Sequence, residues 1–529
     1  VMVDASSFWF ANPGGGFAYN GVATQSLRFN DDDNANLKFD PSGASNQKTW
    51  VCSAWVKKTA NGTTSAGGSD RYVFNTFTAG NNANCAVMGF RNDKPFYSTY
   101  GVEVLVATQV CRDTSAWYHL VWALDTTQAT DTNRLKIYLN GVAITSFSVD
   151  NRDNAYLDQD NDLAINNGNE VRIGNAGASS SPLSPFDGYI AEMNFIDGQS
   201  FFSDTSGTAN SSFNINSFGE LKNGVWIPKD TSGLTFGTNG FRLDFADNAV
   251  DAPESEGSED TDNIGSDSSG EHNNFTATGI VASDCAMPDS PENNFATMNG
   301  IQSSAGTTTF SEGNLRITNS GARSYNTSTI AVKTGKWYAE MRWDINNSAE
   351  THFVGVSSNP ARIGADPHTT AGTLWWESNG GGYIDGSAVA SAAFSGGVDW
   401  GQHNVTAPEF VIGIALDLDS GTRTVTFTKD GGNSFSKDLP ASFTDHIVFC
   451  MTKYSSSASS QSTWNFGQDS TFVGEETATT NADENGFGAF HTAPPSGFLA
   501  LCSANLPEPT IGPNSDTQAN DYFETVTYD

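Results

Sequence analysis

The sequence predicts an all-β protein of two tandem β-sandwich (jelly-roll) domains joined by an acidic extended linker. Three observations carry this prediction. Aromatic residues make up 12% of the 529 residues in a chain rich in Gly and small polar residues. Aromatic and β-branched side chains favour pleated, half-buried surfaces, while Gly, Asn, Asp and Ser favour turns. Short apolar runs with two-residue alternation recur throughout, separated by turn signals such as Asn140-Gly141 and Asp187-Gly188. Helical periodicity is convincing nowhere.

The elements follow in chain order. Residues 1–22, with the run SSFWFANPGGGF, read as an aromatic tether or attachment segment; they lack the basic start and apolar core of a signal peptide. A first sandwich is expected over 23–250. It opens on Ser26–Phe29, passes an acidic loop and resumes at Leu37–Phe39. In Thr49–Lys57, Trp50, Cys52, Ala54 and Val56 alternate with Val51, Ser53, Trp55 and Lys57. Apolar residues on both faces place that strand inside a sandwich. Further runs are Arg71–Phe77, Cys85–Phe90, Val102–Val110, Trp117–Leu124, Leu135–Leu139, Val171–Ile173, Phe186–Phe195 and Gly240–Phe245.

Residues 251–271, DAPESEGSEDTDNIGSDSSGE, have no Lys or Arg and almost no large apolar side chain. Such a stretch buries too little surface to offset its ordering entropy, so 251–305 is expected to be a solvated linker or extended wrap. A second sandwich is expected over 306–475, from Asn314–Ile317 through Lys336–Trp343, Phe353–Ser357, Thr373–Trp376, Phe410–Asp417, Thr424–Thr428, Ile447–Met451 and Ser462–Phe466. Residues 476–529 read as a C-terminal segment leading toward a further domain.

Charge narrows the function classes. Sixty acidic against 26 basic residues give a net charge of −34. That excess repels phosphate backbones and anionic bilayers, arguing against nucleic-acid or membrane partners, and it suits salty water and divalent cations. No stretch is long and apolar enough to span a bilayer. The six Cys (Cys52, Cys85, Cys111, Cys285, Cys450, Cys502) are scattered without a CxxC pair. They are expected to be buried free thiols rather than zinc ligands or a disulfide framework.

Specific motifs add a resemblance. SLRFNDDDNANLKF, KTWVCSAWVKK, WYHLVWALDTT, RLKIYLNG, VRIGN and FDGYIAEMNFIDGQ together resemble a laminin-G or concanavalin A-like domain. GKWYAEMRW, HFVGVS, FVIGIALDLDSGTRTVTFTKDGG and WNFGQ, in that order, resemble a SPRY domain. The connecting segments GVWIPKDTSGLTFGTNGFRLDFAD, SPENNFATMN and GFLALCSANLPEPTI are similar to those of marine tailed-phage tail-fibre or virion structural proteins. GSDSSGEHNNF departs from that pattern, which tends to end a Gly-Asn-rich run in Trp. The resemblance implies a virion protein made in a bacterial cytoplasm, other virion proteins as partners, a host cell-surface glycan or receptor as target, and a homo-oligomer, by family habit a trimer. A capsid decoration or fibre shaft is the structural alternative, and a polysaccharide depolymerase the enzymatic one.

Candidate sites follow. Asp31, Asp32 and Asp33 lie in one acidic loop. Calcium takes six to eight oxygen ligands, often Asp carboxylates. Laminin-G-like domains often hold one calcium at such a loop, and the resemblance brings Asp187 beside it; the plain alternative is a solvated acidic hairpin. Residues 150–162 are also oxygen-rich but lack the Gly and terminal Glu of an EF-hand, so an exposed loop is expected. In the second domain Trp375, Trp376, Tyr383 and Trp400 are interleaved with Asp385 and Gly-rich turns. An aromatic face with nearby hydroxyl-binding side chains suits a sugar ring; the alternative is that one of the paired Trp points into the core. His119 is expected on a strand. No HExxH, GxSxG, P-loop or clustered strand Glu pattern occurs, so no enzyme activity is expected.

Overall fold

The computed structural model describes residues 19–61, 70–77, 81–176, 184–222, 224–301, 308–319, 324–344, 352–359, 367–398, 410–453 and 460–506. Most of the 1–22 tether and the end of the chain lie outside them. The chain divides at 292/293 into two compact units.

The first unit, from Tyr19 to Glu292, is a sandwich of two antiparallel sheets. One orders Leu27–Phe29, Gly188–Asp197, Thr49–Lys58, Tyr118–Asp125, Leu135–Leu139 and Val142–Ala143, with Phe241–Leu243 also on Gly188–Asp197. The other orders Phe147–Asp150, Val102–Ala107, Lys94–Thr99, Cys85–Arg91, Asp70–Phe77, Val171–Ile173, Asn36–Phe39 and Thr276–Thr278. Trp50, Cys52, Ala54 and Val56 point between the sheets with Leu120, Trp122, Phe74, Met88 and Tyr97. The opposite face of Thr49–Lys58 is buried too. Val51 packs under Phe201, Phe213, Phe218 and Phe236, and Trp55 packs with Trp117, Tyr189 and Met287. This explains why both faces of that strand read as apolar.

The expected linker needs correction. Most of 251–262 is exposed, but Ile264, Phe275, Ile280 and Cys285 enter the sandwich core and Thr276–Thr278 pairs with Asn36–Phe39. The apolar anchors are too sparse to register in composition. Asn263, Asp267, Asn273 and Asn274 replace them by hydrogen-bonding backbone or each other, which meets the rule that buried polar groups are paired.

The second unit begins at Asn293. One sheet orders Thr308–Ser311, Arg316–Asn319, Ser460–Asn465, Lys336–Asp344, Phe410–Asp417, Thr424–Lys429 and Asn433–Asp438, with Leu499–Ala500 parallel to Lys336–Asp344. The other orders Ser324–Thr327, Val448–Lys453, His352–Ser357, Thr373–Glu377, Gly382–Ile384 and Ser387–Val389. Met341, Trp343, Trp376, Ile412, Phe449 and Trp464 fill the space between. Here also the boundary moves. Phe295, Phe490, Ala500 and Cys502 pack on Tyr338 and Ala415, so residues 293–301 and 476–506 contribute to this domain rather than flank it.

Only two α-helices of four residues each occur among the described residues, and none is long and apolar enough to cross a membrane. All six Cys are buried and unpaired with one another.

Candidate functional site

In the second domain, strand register builds a row across the outer face of the six-stranded sheet. Cys450 opposes Gly355, Gly355 opposes Trp375, and Trp375 opposes Tyr383. Residues opposite one another in an antiparallel sheet share a face. Gly355 is required in that row, because a β-carbon there would collide with the Leu374 carbonyl. The neighbouring row carries Tyr325 and Phe353. Tyr325 meets Trp375 edge-on at 6.0 Å, and His368 stacks on Phe353 at 4.7 Å. Tyr383 stands edge-on to both, 5.6 Å from Phe353 and 4.8 Å from His368.

The four described aromatic and acidic positions separate here. Trp375 and Trp376 alternate as the strand dictates, but both are 0% exposed. Trp376 points into the sandwich against Phe427 and Phe435, and Trp375 is covered on the outer face. Neither offers a ring face to a ligand, and that expectation is corrected. Tyr383 is half-buried and Asp385 exposed. Trp400 lies outside the described residues.

Asp385 and Gly386 have φ of 55° and 80°, the left-handed pair of a tight hairpin turn. Asp385 Oδ1 accepts from Gly372 N at 2.7 Å and Ser442 Oγ at 2.6 Å, and these bonds hold its carboxyl below the usual range. Its Oδ2 has no partner among the described residues. One oxygen thus fixes the carboxylate while the other is available to a ligand hydroxyl.

In the first domain Asp31–Asp33 form one turn of 3-10 helix. Asp33 Oδ2 accepts from Asn30 Nδ2 at 2.8 Å. Asp187 precedes Gly188, where any β-carbon would collide with the Lys57 carbonyl. Asp187 is 4% exposed, and its Oδ1 is buried without a hydrogen-bond partner. Burial, then the charge of Asp31, pushes the Asp187 carboxyl well above the ordinary range; Arg71 acts the other way. Burial and Asp32 raise Asp31 likewise. Among the described residues no three Asp, Glu, His or Cys side chains converge on one metal point, so the four acids Asp31, Asp32, Asp33 and Asp187 are not assembled as a single ligand set. Asp187 and Asp31 are the pair that remains. An orphaned buried carboxylate oxygen beside a second carboxylate fits a hard cation whose other ligands are carbonyls and water.

Residues 150–162 form a structured loop. Arg152 pairs with Asp150, and Asn161 Nδ2 donates to the Tyr156 carbonyl.

His119 does lie on a strand, Tyr118–Asp125, with Nε2 2.8 Å from Ser53 Oγ. Trp226 Nε1 donates to His119 Nδ1 at 2.9 Å. An indole can only donate, so the imidazole proton sits on Nε2 and faces Ser53. Burial lowers the His119 pKa to about 3. The ring cannot take the serine proton in this tautomer, and Trp55 stacks on it at 4.6 Å.

The sequence matches no protein-family model. No curated protein matches it. Solved structures give partial likenesses. The SPRY domain of human HERC1 is 20% identical, covering 30% of this chain and 90% of that one at a TM-score of 0.24. A protein from Bacteroides ovatus described as a candidate carbohydrate-binding protein is 15% identical, covering 49% of this chain and 59% of that one at 0.30. The CBM40 of a Ruminococcus gnavus IT-sialidase, bound to α2,3-sialyllactose, is 14% identical, covering 32% and 89% at 0.23. Scores this low carry no argument about ligands.

Proposed function

We propose that this chain is a non-enzymatic recognition protein that binds a host cell-surface glycan through the outer-face loops of its second domain. The observation that carries this reading is the Tyr383–Asp385 pair. Two positions apart on one short strand and its turn, they supply a half-exposed ring held edge-on by two neighbours and an anchored carboxylate with one open oxygen. Sugar recognition uses that combination: an apolar ring face for stacking and a fixed acceptor for hydroxyls. A pre-positioned site loses less side-chain entropy on binding.

In this reading the protein sits on a phage particle, at the tail or its surface, and works as a homo-oligomer. Multivalency would raise weak sugar affinity without new contacts. A calcium ion at Asp187 and Asp31 would be a structural cofactor of the first domain. The phage assignment draws on the resemblance of the connecting segments, and the trimer on family habit.

The test is binding of the full chain to host cells and an array of their surface glycans. Tyr383→Ala and Asp385→Ala should each weaken binding about tenfold, the equivalent of ~1.4 kcal/mol. Binding unchanged in both variants would remove this site. Absence of any glycan or cell binding by the parent chain would favour the decoration or shaft role.

A further inference from the structure

On the outer face of the first domain's Thr49–Lys58 sheet, Lys57 and Asp289 meet in a setting that stands apart among the ion pairs of the described residues. Lys57 Nζ lies 2.7 Å from Asp289 Oδ2, and both side chains are 0% exposed. The other described ion pairs each leave at least one partner partly accessible, including Arg28–Asp284 and Lys58–Asp93. Around the pair stand Trp55, Trp117, Tyr189 and Met287, with Nζ 5.6 Å from the centre of the Tyr189 ring.

Asp289 is rigidly placed. Its carbonyl accepts from Ser26 Oγ at 2.6 Å, and Ser26 and Met287 exchange backbone hydrogen bonds at 3.0 and 2.8 Å. Its second carboxylate oxygen, Oδ1, accepts from Trp117 Nε1 at 3.1 Å. The carboxyl carbon therefore has an amine on one oxygen and an N–H donor on the other.

We propose that Lys57 and Asp289 join as an intramolecular isopeptide bond between the lysine ε-nitrogen and the aspartate γ-carbon. The atoms balance without an outside reagent. A proton crosses the existing hydrogen bond from Nζ to Oδ2, leaving a neutral amine beside a neutral acid. Nζ attacks the γ-carbon, and negative charge gathers on Oδ1 under the Trp117 indole N–H. A second proton passes from nitrogen to the departing Oδ2, the C–O bond breaks, and one water molecule leaves. Nothing is oxidised or reduced.

Burial supplies the drive. Two charges in a dry aromatic pocket carry a heavy desolvation cost, and burial lowers the lysine pKa toward the neutral amine. The amide product is neutral. Holding amine and acid in contact also removes most of the entropic barrier that separates free reactants. The bond would tie a central strand to the tail of the domain, closing a loop of more than two hundred residues, where cross-links constrain the unfolded chain most.

The deciding experiment is the intact mass of the full chain, denatured and reduced. A value lower by one water molecule is expected, with a branched peptide joining Lys57 to Asp289 after proteolysis. Lys57→Arg keeps the charge but cannot form the bond, and should restore the full mass. A parent mass equal to that of the sequence would overturn the proposal. So would a water loss mapped elsewhere, such as an aspartyl succinimide or a Lys58–Asp93 link. Because the parent chain alone decides, poor folding of a variant leaves the test intact.

Discussion

Asp187 in the first domain and Glu340 in the second are both buried carboxylates pushed upward by burial, yet they are partnered in opposite ways. Glu340, 0% exposed, accepts from Thr492 N at 2.7 Å, His491 N at 2.8 Å, Asn465 Nδ2 at 3.1 Å and Tyr338 Oη at 3.2 Å. Two of these donors are backbone groups of the C-terminal segment, so the acid is the clasp that holds this segment on the sheet. Asp187 keeps one oxygen unpartnered and faces a second acid. A complete network can bury a carboxylate by itself; an incomplete one leaves an acceptor position open. The contrast separates a structural acid from a candidate ligand.

The largest effect should come from breaking the complete network. Glu340→Ala leaves four buried donors without their acceptor, each costing about 1–3 kcal/mol when orphaned, though not additively. We expect the second domain to lose roughly 3–5 kcal/mol, read as a lower denaturation midpoint of its transition. An unchanged midpoint would mean that the C-terminal segment is held by apolar packing alone.

Acidity probes the same clasp more gently. The Glu340 carboxyl is raised to about 7 from an ordinary 4.5, so the folded state keeps a proton that the unfolded state has released between those values. The associated stability is present in full below the unfolded value and is lost as pH rises through about 7. The change amounts to roughly 3 kcal/mol. On protonation Tyr338 can turn from donor to acceptor, so both backbone donors stay satisfied. Asp385, Asp417, Asp445 and Glu484 are lowered instead; their contribution is lost only at more acid pH and does not oppose the trend near neutrality. The second-domain transition should therefore be higher at about pH 5.5 than at pH 8. In Glu340→Gln the slope should flatten.

How far the sequence discloses these sites follows from the physics of each. Strand alternation predicted the sandwich, the strand placement of His119 and the two-faced burial of Thr49–Lys58. Alternation of Trp375 and Trp376, held as the alternative to ligand contact, is what the strand shows. Alternation could not say that Trp375 would be covered, because coverage depends on chain remote in sequence. The segment after residue 262 was illegible for a similar reason: side-chain amides of Asn263, Asn273 and Asn274 do there what apolar residues do elsewhere. Glu340 and Lys57 carried a faint signal, a charged residue at an outward position of a strand whose alternate positions are apolar. Their partners, Thr492 and Asp289, are 152 and 232 residues away, beyond the reach of any local pattern.

The incomplete network should respond to an ion. If calcium occupies the Asp187–Asp31 pair, an excess of 100 times its dissociation constant stabilises the first domain by about 2.7 kcal/mol. Chelator should lower that domain's melting temperature and leave the second domain unmoved. A pair of transitions that both ignore chelator would place the two acids in one class after all.

Asp187→Asn gives the smallest shift and the sharpest division. In chelator, replacing an under-partnered buried carboxyl by a neutral amide of the same shape removes a group whose ionisation burial and Asp31 both oppose. Thr59 and Arg71 already offset part of that cost, so a gain of only about 1 kcal/mol is expected. In calcium the same variant should lose the ion-dependent gain and fall below the parent. A variant stabilised in one medium and destabilised in the other requires a cation on that oxygen. One destabilised equally in both would instead assign Asp187 to the internal pairing with Arg71, which makes the guanidinium the only cation this loop needs.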